Sequence, residues 1–107
     1  MTDAWSTQDL RAAHAAGGDR YHEFLRRPAL SCGIYVLDAG AEDLQTPHAE
    51  DEIYHVLAGA ATIQVDGADR QVVAGDTVFV AAHVPHRFHS IEARLELLVV
   101  FAPAESG

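Results

Sequence analysis

Three side chains of this sequence have the types and spacing for metal chemistry. His48 and Glu52 lie on one stretch, PHAEDEIYHVLAG from Pro47 to Gly59, and His86 lies within GDTVFVAAHVPHRFHS, from Gly75 to Ser90. Two imidazoles and a carboxylate can hold a divalent first-row metal on one face and leave its other positions open. A glutamate inside a strand-like run is costly to bury alone and needs a cation or strong hydrogen bonds. Side chains alternate faces along an extended chain. With Thr46 through Leu57 extended, Thr46, His48, Glu52, Tyr54 and Val56 share one face, and Ile53, His55 and Leu57 the other. In the second stretch His86, Phe88 and Ser90 share a face opposed by Arg87 and His89. The expectation is that His48, Glu52 and His86 converge inside the fold. Tyr54, Phe88, Thr46 and Ser90 are the pocket candidates beside them, and no catalytic residue is singled out.

The elements that must position these groups are short. Ser6 with Asp9 forms an N-cap pair and Gly17-Gly18 a stop, so a helix is predicted over Thr7 to Ala16. Tyr21, Phe24 and Leu25 have i, i+3, i+4 spacing and predict a further helical turn before Pro28. From Leu30 the texture changes to strands: Ser31 to Leu37, Ile53 to Leu57, Ala61 to Val65, Arg70 to Val73, Thr77 to Val80, Arg87 to Ser90 and Leu95 to Phe101. Asp66-Gly67 and Gly75-Asp76 are turn signals between them. Short strands at regular spacing predict an all-β sandwich or barrel. The expected organisation is an N-terminal extension over 1–30, a barrel over 31–103 and a tail over 104–107.

A chain of 107 residues, 49% apolar and 21% charged, is long enough for one domain with its own core. The formal charge of −9 argues against a nucleic-acid partner, and no apolar run approaches a membrane span. All the basic residues are arginine, and the absence of lysine excludes Schiff-base chemistry. Many alanines with neither Lys nor Asn suggest a GC-rich bacterial source. The N-terminal sequence has no basic and apolar leader pattern, and the single cysteine, Cys32, forms no internal disulfide, so a cytoplasmic location is expected.

With these motifs in place, the sequence resembles the small single-domain cupins. Their first motif reads G-x5-H-x-H-x3-E-x6-G and their second G-x5-P-x-G-x2-H-x3-N. Anchored on Gly59, the first places its glutamate at Glu52 and its second histidine at His48, with Thr46 in place of the first histidine. Anchored on Gly75, the second places its histidine at His86, with Ala81, His83 and Ser90 at its proline, glycine and asparagine. The resemblance implies a double-stranded β-helix, or jelly-roll barrel, often dimeric and holding iron, manganese, nickel or zinc. It implies dioxygenase, isomerase, epimerase or decarboxylase activity, or binding alone. Thr46 reduces the ligand set to three, and Glu50 is the residue that could take the vacant place.

The leading expectation is therefore a metal-dependent oxidoreductase of the dioxygenase type acting on a small oxygenated molecule. The alternatives are an isomerase or epimerase, and a non-catalytic small-molecule binder. A divalent ion held by two neutral imidazoles and one carboxylate keeps about one positive charge, which favours a chelating monoanion over a dianionic phosphate. Glu50 and Asp51 read as a solvated loop, His55 and His89 as outer-face residues, and His14 and His22 as exposed. Ile53 and Leu57 point away from the pocket, so the N-terminal segment or a second subunit must cover them, and a homodimer is expected.

Overall fold

The computed structural model describes residues 3–106; positions 1, 2 and 107, at the outer ends of the two flanking segments, lie outside the described residues. Helix α1 runs Thr7–Gly17 and is followed by six strands: β1 (Tyr21–Arg27), β2 (Leu30–Leu37), β3 (Asp51–Val65), β4 (Ala68–Val73), β5 (Thr77–Val80) and β6 (His86–Ala102). The helix starts on a capping box, in which Asp9 N–H donates to Ser6 Oγ and Ser6 N–H donates to Asp9 Oδ2, each at 3.0 Å. It ends at Gly18, whose φ of 78° places it in the left-handed region. Leu10 is its buried residue and packs on Ile34 and Val36 of β2.

All strand pairings are antiparallel, in the order β1-β2-β6-β3-β4, with β5 beside the first half of β3. Two pairs of expected strands are continuous: Ile53–Leu57 with Ala61–Val65, and Arg87–Ser90 with Leu95–Phe101. They bend where breaks were expected. The β3–β6 register shifts at Val56/Ala58, Ala58/Ala60 and Ala60/Thr62. Gly59, at φ 97°, lets β3 cross β6 so closely that a Cβ there would strike Arg94 O. Each long strand thereby serves both layers of the jelly roll, and the core lies between them around Tyr54, Val56, Ile63, Phe88, Leu97 and Val99.

The expected helical turn at Tyr21, Phe24 and Leu25 is instead β1. Pairing with β2 overrides the local spacing, and the register shift between Glu23 and Leu25 explains it. A bulge makes two successive residues face the same way, so Tyr21 points inward while Phe24 and Leu25 point outward. The outward face carries a second apolar cluster, in which Leu57 joins Leu10, Ile34, Val36, Phe24 and Leu98 under the helix. Beyond the helix, the registers align Leu25, Cys32, Val100, Ile53 and Phe79 in one row across five strands. No helix among the described residues is long and apolar enough to cross a membrane.

Candidate metal centre

His48, Glu52 and His86 converge: one ligand atom from each lies within 4.8 Å of the others. Different elements deliver them. Glu52 is the second residue of β3, paired with Val80 on one side and Phe101 on the other. His86 opens β6. His48 stands on the irregular segment before β3, which is tied to the β5–β6 turn from both sides. His83 N–H donates to the His48 carbonyl at 2.7 Å, and Ala82 N–H to Asp51 Oδ1 at 2.9 Å. His83 holds that turn at φ 67°, where the resemblance has glycine.

The Glu52 side chain is 2% exposed and that of His86 1%. His86 Nδ1 lies 2.9 Å from the Val84 carbonyl, which can only accept, so Nδ1 carries a proton and Nε2 faces the carboxylate. Nε2 is 3.1 Å from Glu52 Oε1 and 3.1 Å from the Tyr54 hydroxyl. Its approach to Oε1 is close but poorly directed for a hydrogen bond, and Oε1 is left a buried acceptor without a donor. His48 Nε2 lies 4.0 Å from the same oxygen and 3.3 Å from Gln45 Oε1, and its Nδ1 3.4 Å from Glu105 Oε2. A cation between the imidazoles and the carboxylate would satisfy Oε1, and the donor set suits a first-row divalent ion.

The charges point the same way. Burial lowers the His86 pKa, but its contacts with Glu52 and the Val84 carbonyl, with the charges of Glu52 and Asp43, outweigh that and raise it. Burial pushes the Glu105 carboxyl up, reinforced by Glu50, Glu52 and Glu23 against the lowering effect of His48. Burial also holds the Tyr54 phenol well above its ordinary range, helped by Glu52. Carboxylates crowded here favour protons or a cation.

A polar frame stiffens the site. Asp43 is buried and accepts from the Tyr35 hydroxyl at 2.8 Å, Gln45 Nε2 at 2.8 Å and Phe88 N–H at 2.9 Å. Gln45 Oε1 in turn accepts from the Tyr54 hydroxyl at 2.9 Å. Beside it lies a cavity of about 170 Å³, lined by Tyr21, Tyr35, Tyr54 and Phe101 together with His48 and Glu52, and edged by Gln45 and Glu105. No arginine lines it; Arg87 is exposed and Arg94 pairs with Asp38 at 2.8 Å outside.

Of the pocket candidates, Tyr54 lines the cavity, and Phe88 stands behind it, edge-on to Tyr54 at 4.9 Å between centroids. Thr46 and Ser90 do not reach the site. Thr46 is exposed because residues 38–50 are not a strand, so counting by twos back from Glu52 fails and its neighbour Gln45 takes the inward place. Ser90 is exposed because its φ of 51° breaks the alternation of β6, and its Oγ meets His89 Nδ1 at 3.0 Å instead. Glu50 is neither a solvated residue nor part of the cluster. It is 5% exposed, and its Oε2 accepts from the Ser106 hydroxyl at 2.7 Å. His55 and His89 bond to Thr77 and Asp69 away from the cavity, while His14 and His22 are half-buried. Tyr21, Tyr35, Asp43, Gln45 and Glu105 were not among the expected site residues, because only strand pairing and the folded-back tail bring them in.

A family model described as Cupin domain matches residues 33–101. An uncharacterized protein of Streptomyces coelicolor is 47% identical over 103 residues, 96% of this chain and 98% of its own. Among solved structures, an RmlC-like cupin from Shewanella frigidimarina shares 27% identity and a TM-score of 0.71 over 78% of this chain and 75% of that one. A salicylate 1,2-dioxygenase from Pseudaminobacter salicylatoxidans has a TM-score of 0.78 at 17% identity, over 92% of this chain and 34% of that enzyme, a likeness of fold.

Proposed function

The chain belongs to the cupin family, and from that premise we propose that it is a metal-dependent enzyme acting on a small oxygenated molecule by dioxygenase-type oxidoreductase chemistry. The observation that carries the reading is Glu52 Oε1, a buried acceptor without a donor, faced by the ring nitrogens of His48 and His86. His48, Glu52 and His86 would hold the ion. A divalent first-row metal there supplies Lewis acidity and, as iron, redox capacity.

The chain's own residues set the rest. Val84 O fixes the His86 ring so that Nε2 faces Glu52, and Glu105 stands against Nδ1 of His48. Tyr54 and Gln45 brace the imidazoles through the Asp43 frame. The aromatic walls suit a compact ligand: about 170 Å³ lies below the usual range for drug-sized ligands. The absence of a lining arginine favours this chemistry over isomerisation of a phosphorylated sugar.

Metal analysis of untagged protein, followed by oxygen uptake of the iron(II)-loaded chain with small hydroxy acids, enols and diketones, tests the proposal. Bound metal with oxygen consumption dependent on His86 supports it. Protein that takes up no first-row metal would end it, and metal without oxygen consumption would move the reading to isomerase or binder.

A further inference from the structure

Two buried side-chain oxygens lack hydrogen-bond partners among the described residues, Glu52 Oε1 and the Tyr21 hydroxyl, and both residues line the same cavity. A metal accounts for the first. The second is a phenol from the edge strand β1, and it reaches the cavity only because β2 leaves a gap for it. Gly33 faces inward on β2, and a Cβ there would fall on Cζ and the hydroxyl of Tyr21. The ring lies across that gap, edge-on to Tyr35 at 6.3 Å and to Phe101 at 6.4 Å between centroids. A glycine in a strand weakens it unless something must come close. Here that something is the Tyr21 phenol, whose hydroxyl has no partner among the described residues.

We propose that the Tyr21 hydroxyl is a substrate-anchoring donor, and that the ligand it holds is a small 2-hydroxy acid whose carboxylate accepts from it. The inference rests on the metal-site reading above, since the other end of the ligand, its hydroxyl and one carboxylate oxygen, would chelate the ion. Three observations select this class. Burial, with the charges of Glu105, Glu23 and Glu52, keeps the phenol protonated far above neutral pH, so it offers a hydrogen and seeks an acceptor. A cavity of about 170 Å³ lies below the usual range for drug-sized ligands, which suits a molecule of few heavy atoms. With no lysine in the chain and no arginine in the lining, the cavity offers no second cation, so one carboxylate can be matched and a second cannot.

The test uses the full chain loaded with one nickel(II) and titrated calorimetrically with lactate. Wild type should bind lactate. Tyr21→Phe keeps the ring and its edge contacts, and should retain one nickel per chain and the wild-type melting temperature while losing about ten-fold or more in lactate affinity, as for a hydrogen bond to a charged acceptor. Gly33→Ala keeps the hydroxyl but pushes the ring aside, and should show the same loss with the metal retained. Equal lactate affinity in wild type and Tyr21→Phe, or no binding of lactate at millimolar concentration by loaded wild type, would overturn the inference and leave the metal site standing. Loss of nickel from Tyr21→Phe would overturn it differently, by making the phenol a ligand of the ion. A wild type that takes up no metal would remove the metal-site reading and this inference together.

Discussion

Metal loading should raise the melting temperature of the wild-type chain and leave that of Glu52→Gln unmoved. The ligands come from the segment before β3, the start of β3 and the start of β6. An unfolded chain does not gather them, so the ion binds the folded state and stabilises it. With free metal at a hundred times its Kd the gain is about 2.7 kcal/mol. For a domain of this size 1 kcal/mol moves the melting temperature by about 4–8 °C, so the rise should be roughly 10–20 °C. The stripped protein carries the complementary signature. Glu52 Oε1 is buried without a donor, and such an atom costs about 1–3 kcal/mol. Glutamine keeps the shape and removes the charge, and His86 can then shed its proton and leave no stranded ion. At a pH above the His86 transition, where that imidazole is neutral in both, stripped Glu52→Gln should therefore melt no lower than stripped wild type. Differential scanning calorimetry after chelation, and after separate return of iron(II), manganese, nickel and zinc, reads both halves. A wild type that melts alike stripped and loaded, or a variant that gains as much from metal, would refute the reasoning.

The raised His86 pKa gives a pH dependence. An imidazole raised above its ordinary value of about 6.5 adds stability that is complete below that value and lost as pH climbs through the raised one, so the stripped protein should lose stability as pH rises from about 6.5 through the raised value. Metal competes with that proton for Nε2, so the melting gain on loading should be larger at the higher pH; an equal gain at both would separate His86 from the ion. Phe79 is 60% exposed and Ile53 41%, at the end of the five-residue apolar row, which at about 4.8 Å per strand runs roughly 19 Å across the outer face. We expect a two-fold dimer through this row and a monomer in Phe79→Glu; light scattering that finds wild type monomeric at tens of micromolar would exclude it. Gly59→Ala should cost about 2–4 kcal/mol, because the residue sits at φ 97° and its Cβ would press on Arg94 O and Leu95 Cα, and the urea midpoint should fall with an unchanged slope.

The parts of the site that could be read without coordinates are those whose partner is a kind of chemistry. His48, Glu52 and His86 announce themselves by type, since a glutamate between strand-forming residues needs a cation or strong hydrogen bonds wherever the chain turns. Parity counting then places Tyr54 correctly, because Glu52 and Tyr54 both lie in β3. It misplaces Thr46, because alternation has no meaning in the irregular segment before β3, and one residue of slack exchanges Thr46 for Gln45. Ser90 fails for the same reason within a strand, where a single left-handed residue reverses the faces beyond it. Tyr21 is a harder case. The spacing of Tyr21, Phe24 and Leu25 is shared by a helical turn and by a bulged strand, and only the pairing of β1 with β2 decides between them. Its path to the cavity also depends on Gly33, a residue that contributes only the absence of a side chain. Glu105 arrives by a third route, in the C-terminal segment. Its backbone N–H donates to Ser31 Oγ at 2.9 Å, and its carbonyl accepts from Arg26 Nη2 at 2.8 Å. The division into 1–30, 31–103 and 104–107 follows the texture of the sequence, yet the cavity wall draws Tyr21 from the first part and Glu105 from the last. A barrel cut to 31–103 would keep all three candidate ligands and lose the two side chains that flank them, so the flanking segments belong to the candidate site as much as the strands do.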